Sequence, residues 1–198
     1  MSLEIRFEHD FGKIPVFLDR LKARAVLRSV KRSLNRTIEG VRTQANVQVR
    51  QERKLKASEI NQNYFRVDRA RSYSLQGMEA LLSVSTKPIP LLPFVLGSQE
   101  PAIQKGIAIR ERKPLRAEIQ PGRRQQLPHA FIARVRSKQV FRRKDPGRSP
   151  LMKQSIPPLT TLFQRKEFLS PLERYARERY GKEFSSNFNF ELSKWGIS

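Results

Sequence analysis

At 198 residues, 38% hydrophobic and 29% charged, the chain is long enough for a domain with a real core and too apolar for a disordered one. Forty Lys and Arg against eighteen Asp and Glu leave a formal +22 and a pI near 11.3, a charge that must cover the surface and face an anion or an acidic partner. The absence of cysteine excludes disulfides and thiolate metal sites, while the lack of a basic-then-apolar start or of a run near ~20 apolar residues predicts a soluble protein.

The first element is helical. Ala23, Leu27, Val30, Leu34, Ile38, Val41, Ala45 and Val49 recur at spacings of three and four, which predicts one helix over about 18–53. Leu27, Val30, Leu34, Ile38, Val41, Ala45 and Val49 are its expected scaffold and interface side chains. Arg24, Arg28, Lys31, Arg32, Arg36 and Arg42 occupy the other side. Such a face is ordinarily a solvated one. Gly40 lies inside the helix, at a propensity penalty of about 1 kcal/mol, as a bend or a close-packing point. A short second helix is expected over about 58–66.

From Gly77 the period changes, and a sheet region is expected over about 78–143. Ala80–Thr86 is β-branched and partly alternating. Ile103 to Glu111 alternates loosely, and Leu115, Ala117 and Ile119 more cleanly against Arg116, Glu118 and Gln120. Phe131–Arg136 and Gln139–Arg143 read as a hairpin around Ser137 and Lys138. Pro146, Pro150, Pro157 and Pro158 favour an extended segment over 144–169, with Pro157 and Pro158 biasing their predecessors away from helix. Ser170, Pro171 and Glu173 have the order of N-cap, first turn and capping box, which predicts a C-terminal helix over about 170–198. Leu172, Tyr175, Ala176, Tyr180 and Phe184 form its apolar side, and Phe188, Phe190, Leu192, Trp195 and Ile197 an aromatic tail that docks. The fold class expected is α+β in a single domain 1–198: long N-terminal helix, small antiparallel sheet with long loops, C-terminal helix.

Enzymatic chemistry finds little support. There is no Gly-rich phosphate loop, no His-x-x-x-His and no paired carboxylates. His9 and His129 have no neighbouring partner, and Asp10, Asp19, Asp68 and Asp145 are scattered, which argues against a metal-dependent nuclease. No catalytic, cofactor or metal residue is assigned.

The dense feature is basic. Lys105, Arg110, Arg112, Lys113, Arg116, Arg123, Arg124, Arg134, Arg136, Lys138, Arg142, Arg143, Lys144 and Arg148 stand against Glu111, Glu118 and Asp145 only. All of these cations from Arg112 onward are assigned to a surface facing DNA or an acidic partner. Arginine in place of lysine suits bidentate phosphate or carboxylate contacts. With no helix-turn-helix, zinc finger or RNP motif, nucleic-acid binding would be sequence-independent and strongly salt-dependent. The bland alternative is a sheet with one wet side.

Ser33-Leu-Asn-Arg-Thr37 in a basic helix, Lys87-Pro-Ile-Pro-Leu91 with Phe94, Leu127-Pro-His-Ala-Phe-Ile-Ala-Arg-Val-Arg136, Val140-Phe-Arg-Arg143 and Arg148-Ser-Pro-Leu-Met152 follow one another in an order that resembles the phage minor tail protein Z (tail-completion) family. Leu151 replaces the usual isoleucine, Lys153-Gln-Ser-Ile-Pro157 replaces a Gly-Pro-Ser-like segment, and the resemblance covers roughly 20–165. It implies a low-copy virion protein that completes the tail at its head-proximal end, supports head–tail joining and places the DNA end. It further implies a homo-oligomeric ring and contacts with the tail terminator, the tail tube, the tape measure and the phage DNA backbone. No membrane is implied, and the setting is the host cytoplasm, then the virion. The rival readings are a sequence-independent nucleic-acid-binding protein outside the virion and a phage DNA nuclease.

Overall fold

A computed structural model describes residues 2–7, 20–71, 78–97, 115–134, 137–143 and 151–194, with side chains from residue 23 onward. The architecture is α+β, with a long N-terminal helix, small antiparallel sheets joined by loops, and a long C-terminal helix. Strand β1 (Ser2–Phe7) precedes helix α1 (Arg20–Glu52) and helix α2 (Ala57–Asn63). Strands β2 (Phe65–Asp68) and β3 (Ala80–Ser85) complete the first sheet, in the order β1-β3-β2. β3 lies central and antiparallel to both neighbours, with Leu82 opposite Ile5 on one side and Val67 on the other. Its Ala80, Leu82 and Val84 alternate inward, the two-residue period of a strand packed on one face.

Helix α1 spans 33 residues, about 50 Å. Val26, Val30, Leu34, Ile38, Val41, Ala45 and Val49 are buried, and Leu27 is a partly buried neighbour of the same core. Beside this apolar stripe runs a second buried one made of Ala25, Ser29, Ser33, Thr37 and Gly40. The serines tolerate burial because each donates to the carbonyl four residues back: Ser29 to Ala25 at 2.8 Å and Ser33 to Ser29 at 2.6 Å.

Strand β4 (Ile89–Pro90) is followed by a 3-10 turn (Leu92–Phe94), whose Phe94 is 1% exposed. Strands β5 (Leu115–Gln120) and β6 (Arg123–Leu127) form a hairpin ribbon around Pro121 and Gly122. Gly122 takes φ +79°, the left-handed region a tight turn needs. Strands β7 (Ala130–Arg134), β8 (Lys138–Arg143) and β9 (Leu151–Lys153) make a second antiparallel sheet in that order. Strand β10 (Ser155–Ile156) then pairs with β4.

Two helices close the chain, α3 (Thr160–Phe163) and α4 (Lys166–Ser193). α4 runs antiparallel to α1 along the small-residue stripe: Glu191 meets Arg32, Asn187 meets Ser33, Glu183 meets Arg36, and Arg179 lies over Gly40. A Cβ on Gly40 would come within 2.6 Å of Arg179 Nε, so the glycine is a close-packing point. The buried side chains of helices and strands form one cluster.

Several boundaries differ from expectation. α2 ends at Asn63, and β2 starts two residues on because Phe65 is drawn into the core. Strands flank the expected 78–143 region on both sides, as β1, β2, β9 and β10. The extended segment 144–169 contains β9, β10, α3 and the first turn of α4. Ser170 is not the N-cap. α4 begins four residues earlier, with Pro171 inside it. Phe168 is 9% and Leu172 1% exposed, and burying both on one face carries the helix through the proline, whose missing N–H removes a single ladder bond. The aromatic residues continue the helix: Tyr180, Phe184 and Phe188 form a ladder with centroids 6.0 and 5.6 Å apart. Ile103–Glu111, Trp195 and Ile197 lie outside the described residues.

Candidate nucleic-acid interface

The basic region is built on the β5–β6 ribbon and the β7–β8–β9 sheet. The ribbon is fastened along β5. Val95 bridges Ala117, Leu96 N–H donates to Arg116 O at 2.8 Å, and Lys54 N–H donates to Ile119 O at 2.8 Å. Ala117 is buried, so the alternate residues Arg116, Glu118, Arg124 and Gln126 share the opposite face.

Glu118 is the one carboxylate in that face, and it works as an anchor. Its side chain is 10% exposed, accepts from Lys54 Nζ at 2.8 Å and from Gly122 N–H at 3.0 Å, and lies 3.8 Å from Arg124. The Lys54 hydrogen bond first, then the Gly122 amide, hold its carboxyl below the ordinary value of 4.5 against opposing desolvation. A depressed folded-state value means the contribution is fully present above pH 4.5 and is lost as pH falls further, through the lower folded value. Glu118→Gln should therefore be less stable than the parent at pH 7, with the gap narrowing below pH 4.5. Thermal unfolding by circular dichroism at pH 7, 5 and 3 checks this; a gap constant with pH would refute the anchor.

Arg116, Arg123, Arg134 and Arg142 are exposed. Arg123 touches Gln120 Oε1 at 3.3 Å, and no ion-pair partner for Arg116, Arg134 or Arg142 is found among the described residues. Lys138 is partly buried, opposite Arg134 in the hairpin register. Arg143 lies over the Phe131 ring, 5.7 Å from its centroid. The ribbon carries Arg116, Arg123 and Arg124, and the sheet carries Arg134, Lys138, Arg142 and Arg143. Arg112, Lys113, Arg136, Lys144 and Arg148 lie outside the described residues.

The scaffold helix does more than the sequence pattern indicated. In Ser33–Thr37, Ser33 accepts from Asn187 at 3.0 Å, while Asn35 clamps Ala70, accepting its N–H at 2.8 Å and donating to its carbonyl at 3.3 Å. Arg28, Arg32 and Arg36 are turned to Glu191 and Glu183, so much of the basic helix face is spent on α4.

A further basic cleft of about 550 Å³, which sequence reasoning missed, lies between α1 and the end of β2, lined by Lys31, Asn35, Glu39, Arg42, Arg69 and Arg71 among others. The signal was the arginine-rich run Arg66–Arg71. Glu39 partly neutralises this cleft, bound by Arg69 at 2.7 Å and by Arg42 at 3.4 Å. His129 takes φ 60° at the turn between β6 and β7, and is exposed there. Among the described residues no three His, Asp or Glu side chains gather as a metal site would need, and no helix is long and apolar enough to cross a membrane.

Compared with family models, curated proteins and solved structures, the chain matches none.

Proposed function

We propose that the chain is a non-enzymatic structural virion protein of a tailed phage, completing the tail at its head-proximal end and supporting head–tail joining and DNA positioning. The observation that carries the anion-facing part is the display of Arg116, Arg123, Arg134 and Arg142 on β5, β6, β7 and β8, strands whose single carboxylate, Glu118, is already held by Lys54 and Gly122. Arginines in that arrangement hold phosphates without reading bases. The phage-tail context rests on the ordered motifs between Ser33 and Met152.

Those motifs have coherent structural duties. Ser33–Thr37 ties α1 to α4 and to Ala70, and Lys87–Leu91 buries Ile89 and Leu91 while pairing β4 with β10. The 127–152 run builds the β7–β8–β9 sheet. In this reading copies form a ring beside the tail terminator, tail tube and tape measure. A chain of formal charge +22 repels its own copies, so such a ring needs phosphate or acidic neighbours at the basic strands.

Replacing Arg116, Arg123, Arg134 and Arg142 by Glu tests the proposal. All four are exposed, so circular dichroism and thermal unfolding should stay close to the parent. Complementation of a phage lacking the protein should fall by orders of magnitude, with headless tails or tailless heads visible by electron microscopy. Normal plaque yield would overturn the assignment. The alternative, a nucleic-acid-binding protein outside the virion, predicts instead that the parent protein co-purifies with bulk nucleic acid and is absent from particles.

A further inference from the structure

The β7–β8–β9 sheet has two dissimilar faces. Ile132 and Val140, 7% and 1% exposed, point from one face into the core. By strand alternation and register, Phe131, Phe141, Arg143, Leu151 and Lys153 share the other. Phe131 and Phe141 are direct cross-strand partners, with ring centroids 6.4 Å apart and planes 34° from parallel. Both rings are partly exposed, and neither belongs to the core cluster or to the apolar side chains packed on it. Leu151 is 38% exposed at the edge of the same face.

Two phenylalanines on a sheet face outside the core leave apolar area in water, an arrangement that marks a binding surface. The occupant follows from what surrounds them. Lys153 stands directly opposite Phe141, Arg143 stacks over Phe131, and no carboxylate lies on the three strands. Aromatic rings interleaved with cations are the two halves of a single-strand platform: bases stack on the rings while the cations follow the phosphates. An acidic peptide would use the cations and leave the ring pair without a partner. A duplex would offer its phosphates and keep its base faces stacked inside.

We propose that this face binds unpaired nucleotides of a single-stranded nucleic acid, two successive bases stacking on Phe131 and Phe141. The proposal rests on the anion-facing reading of the basic strands and adds the class of ligand that one face takes.

The test is fluorescence anisotropy of the full chain with a labelled oligo-dT of about 20 nucleotides and a blunt duplex of equal length, over a range of salt. The variant is Phe131→Leu with Phe141→Leu, which keeps apolar volume on the strands and removes the ring faces. Its oligo-dT affinity should drop roughly tenfold or more. Duplex affinity should stay within twofold, and the slope of log affinity against log salt should not change, because no phosphate contact is lost. Phe131→Trp provides a second readout, in which oligo-dT should quench the added indole.

Equal weakening on both ligands, or on neither, would overturn the proposal. So would binding of a polyglutamate peptide with the same dependence on the two rings, which would assign the face to an acidic protein. If the four-arginine variant still yields particles while the rings remain selective for oligo-dT, the virion assignment fails and this one stands. If particles are lost and the rings are indifferent to strandedness, the reverse holds.

Discussion

Phe163→Ala should destabilise the protein by about 3–5 kcal/mol, the range for truncating a fully buried aromatic ring. Phe163 is 1% exposed and meets two other rings edge-on, Phe65 at 5.9 Å and Phe168 at 4.8 Å. Those three residues belong to different elements: Phe65 opens β2, Phe163 ends α3, and Phe168 lies in the first turn of α4. The ring therefore joins the first sheet to the start of the C-terminal helix. Each edge-to-face pair adds about 0.5–1.5 kcal/mol beyond area burial, and truncation removes both together. Typical domains have only about 5–15 kcal/mol in total, so the loss would bring this one close to unfolding at physiological temperature. Phe163→Leu keeps most of the volume and should lose roughly 1–1.5 kcal/mol. Urea unfolding followed by circular dichroism would show the midpoint falling steeply for Ala and mildly for Leu, at an unchanged slope. An Ala variant within 1 kcal/mol of the parent would mean that this corner does not hold α4.

The reason this junction could not be read from the sequence is instructive. Helix α1 was legible because its apolar residues keep one spacing for seven turns, and β3, β5, β7 and β8 because their side chains alternate or are β-branched. Phe163 and Phe168 sit among prolines and charges with no period around them. Their importance comes from Phe163 meeting both Phe168 and Phe65, the latter about a hundred residues away, and no local pattern encodes that. β6 was invisible for a related reason: Arg123-Arg-Gln-Gln-Leu127 has an almost wholly exposed pattern and is a strand only because β5 pairs with it. β1 is a different case. Leu3, Ile5 and Phe7 alternate with Glu4 and Arg6, so a two-residue period is present in its sequence, over a single short strand.

The candidate site divides the same way. The concentration of arginine was plain in the sequence, and Arg116, Arg123, Arg124, Arg134 and Arg142 are exposed. Which cations are already engaged was not. Arg124 shares Glu118 with Lys54, a contact that depends on cross-strand register and on which way a ribbon folds. Periodicity likewise identified the apolar stripe of α1 and missed the stripe beside it, since serine, threonine and glycine carry no hydropathy signal. That second stripe receives α4. It also explains why the C-terminal half of α4 buries Asn187 and Glu191 where an apolar residue would be expected.

Glu191 gives the second large prediction. Its side chain is 1% exposed and is bound by Arg32 and by Lys194 at 3.1 Å, with Arg28 at 3.9 Å. The cations are 46%, 42% and 63% exposed, so the two sides of this cluster respond differently to mutation. Removing the carboxylate leaves cations that water can hydrate. Removing the cations leaves a buried anion that water cannot reach, and an uncompensated buried charge costs about 3–5 kcal/mol. Arg32→Ala with Lys194→Ala leaves Glu191, among the described residues, only its distant contact with Arg28, and should destabilise by about 3 kcal/mol. Adding Glu191→Gln to that pair should restore at least half of the loss, because a neutral amide no longer carries the charge penalty. The three variants, compared by urea unfolding, separate an electrostatic lock from simple packing. If the triple variant is no more stable than the double, Arg32 and Lys194 act through their aliphatic stems on Phe190, whose ring lies 4.3 Å from Lys194 Nζ and 6.0 Å from the Arg32 guanidinium. Recovery in the triple variant would instead identify Glu191 as the charge that holds the far end of α4 on a helix otherwise surfaced with arginine.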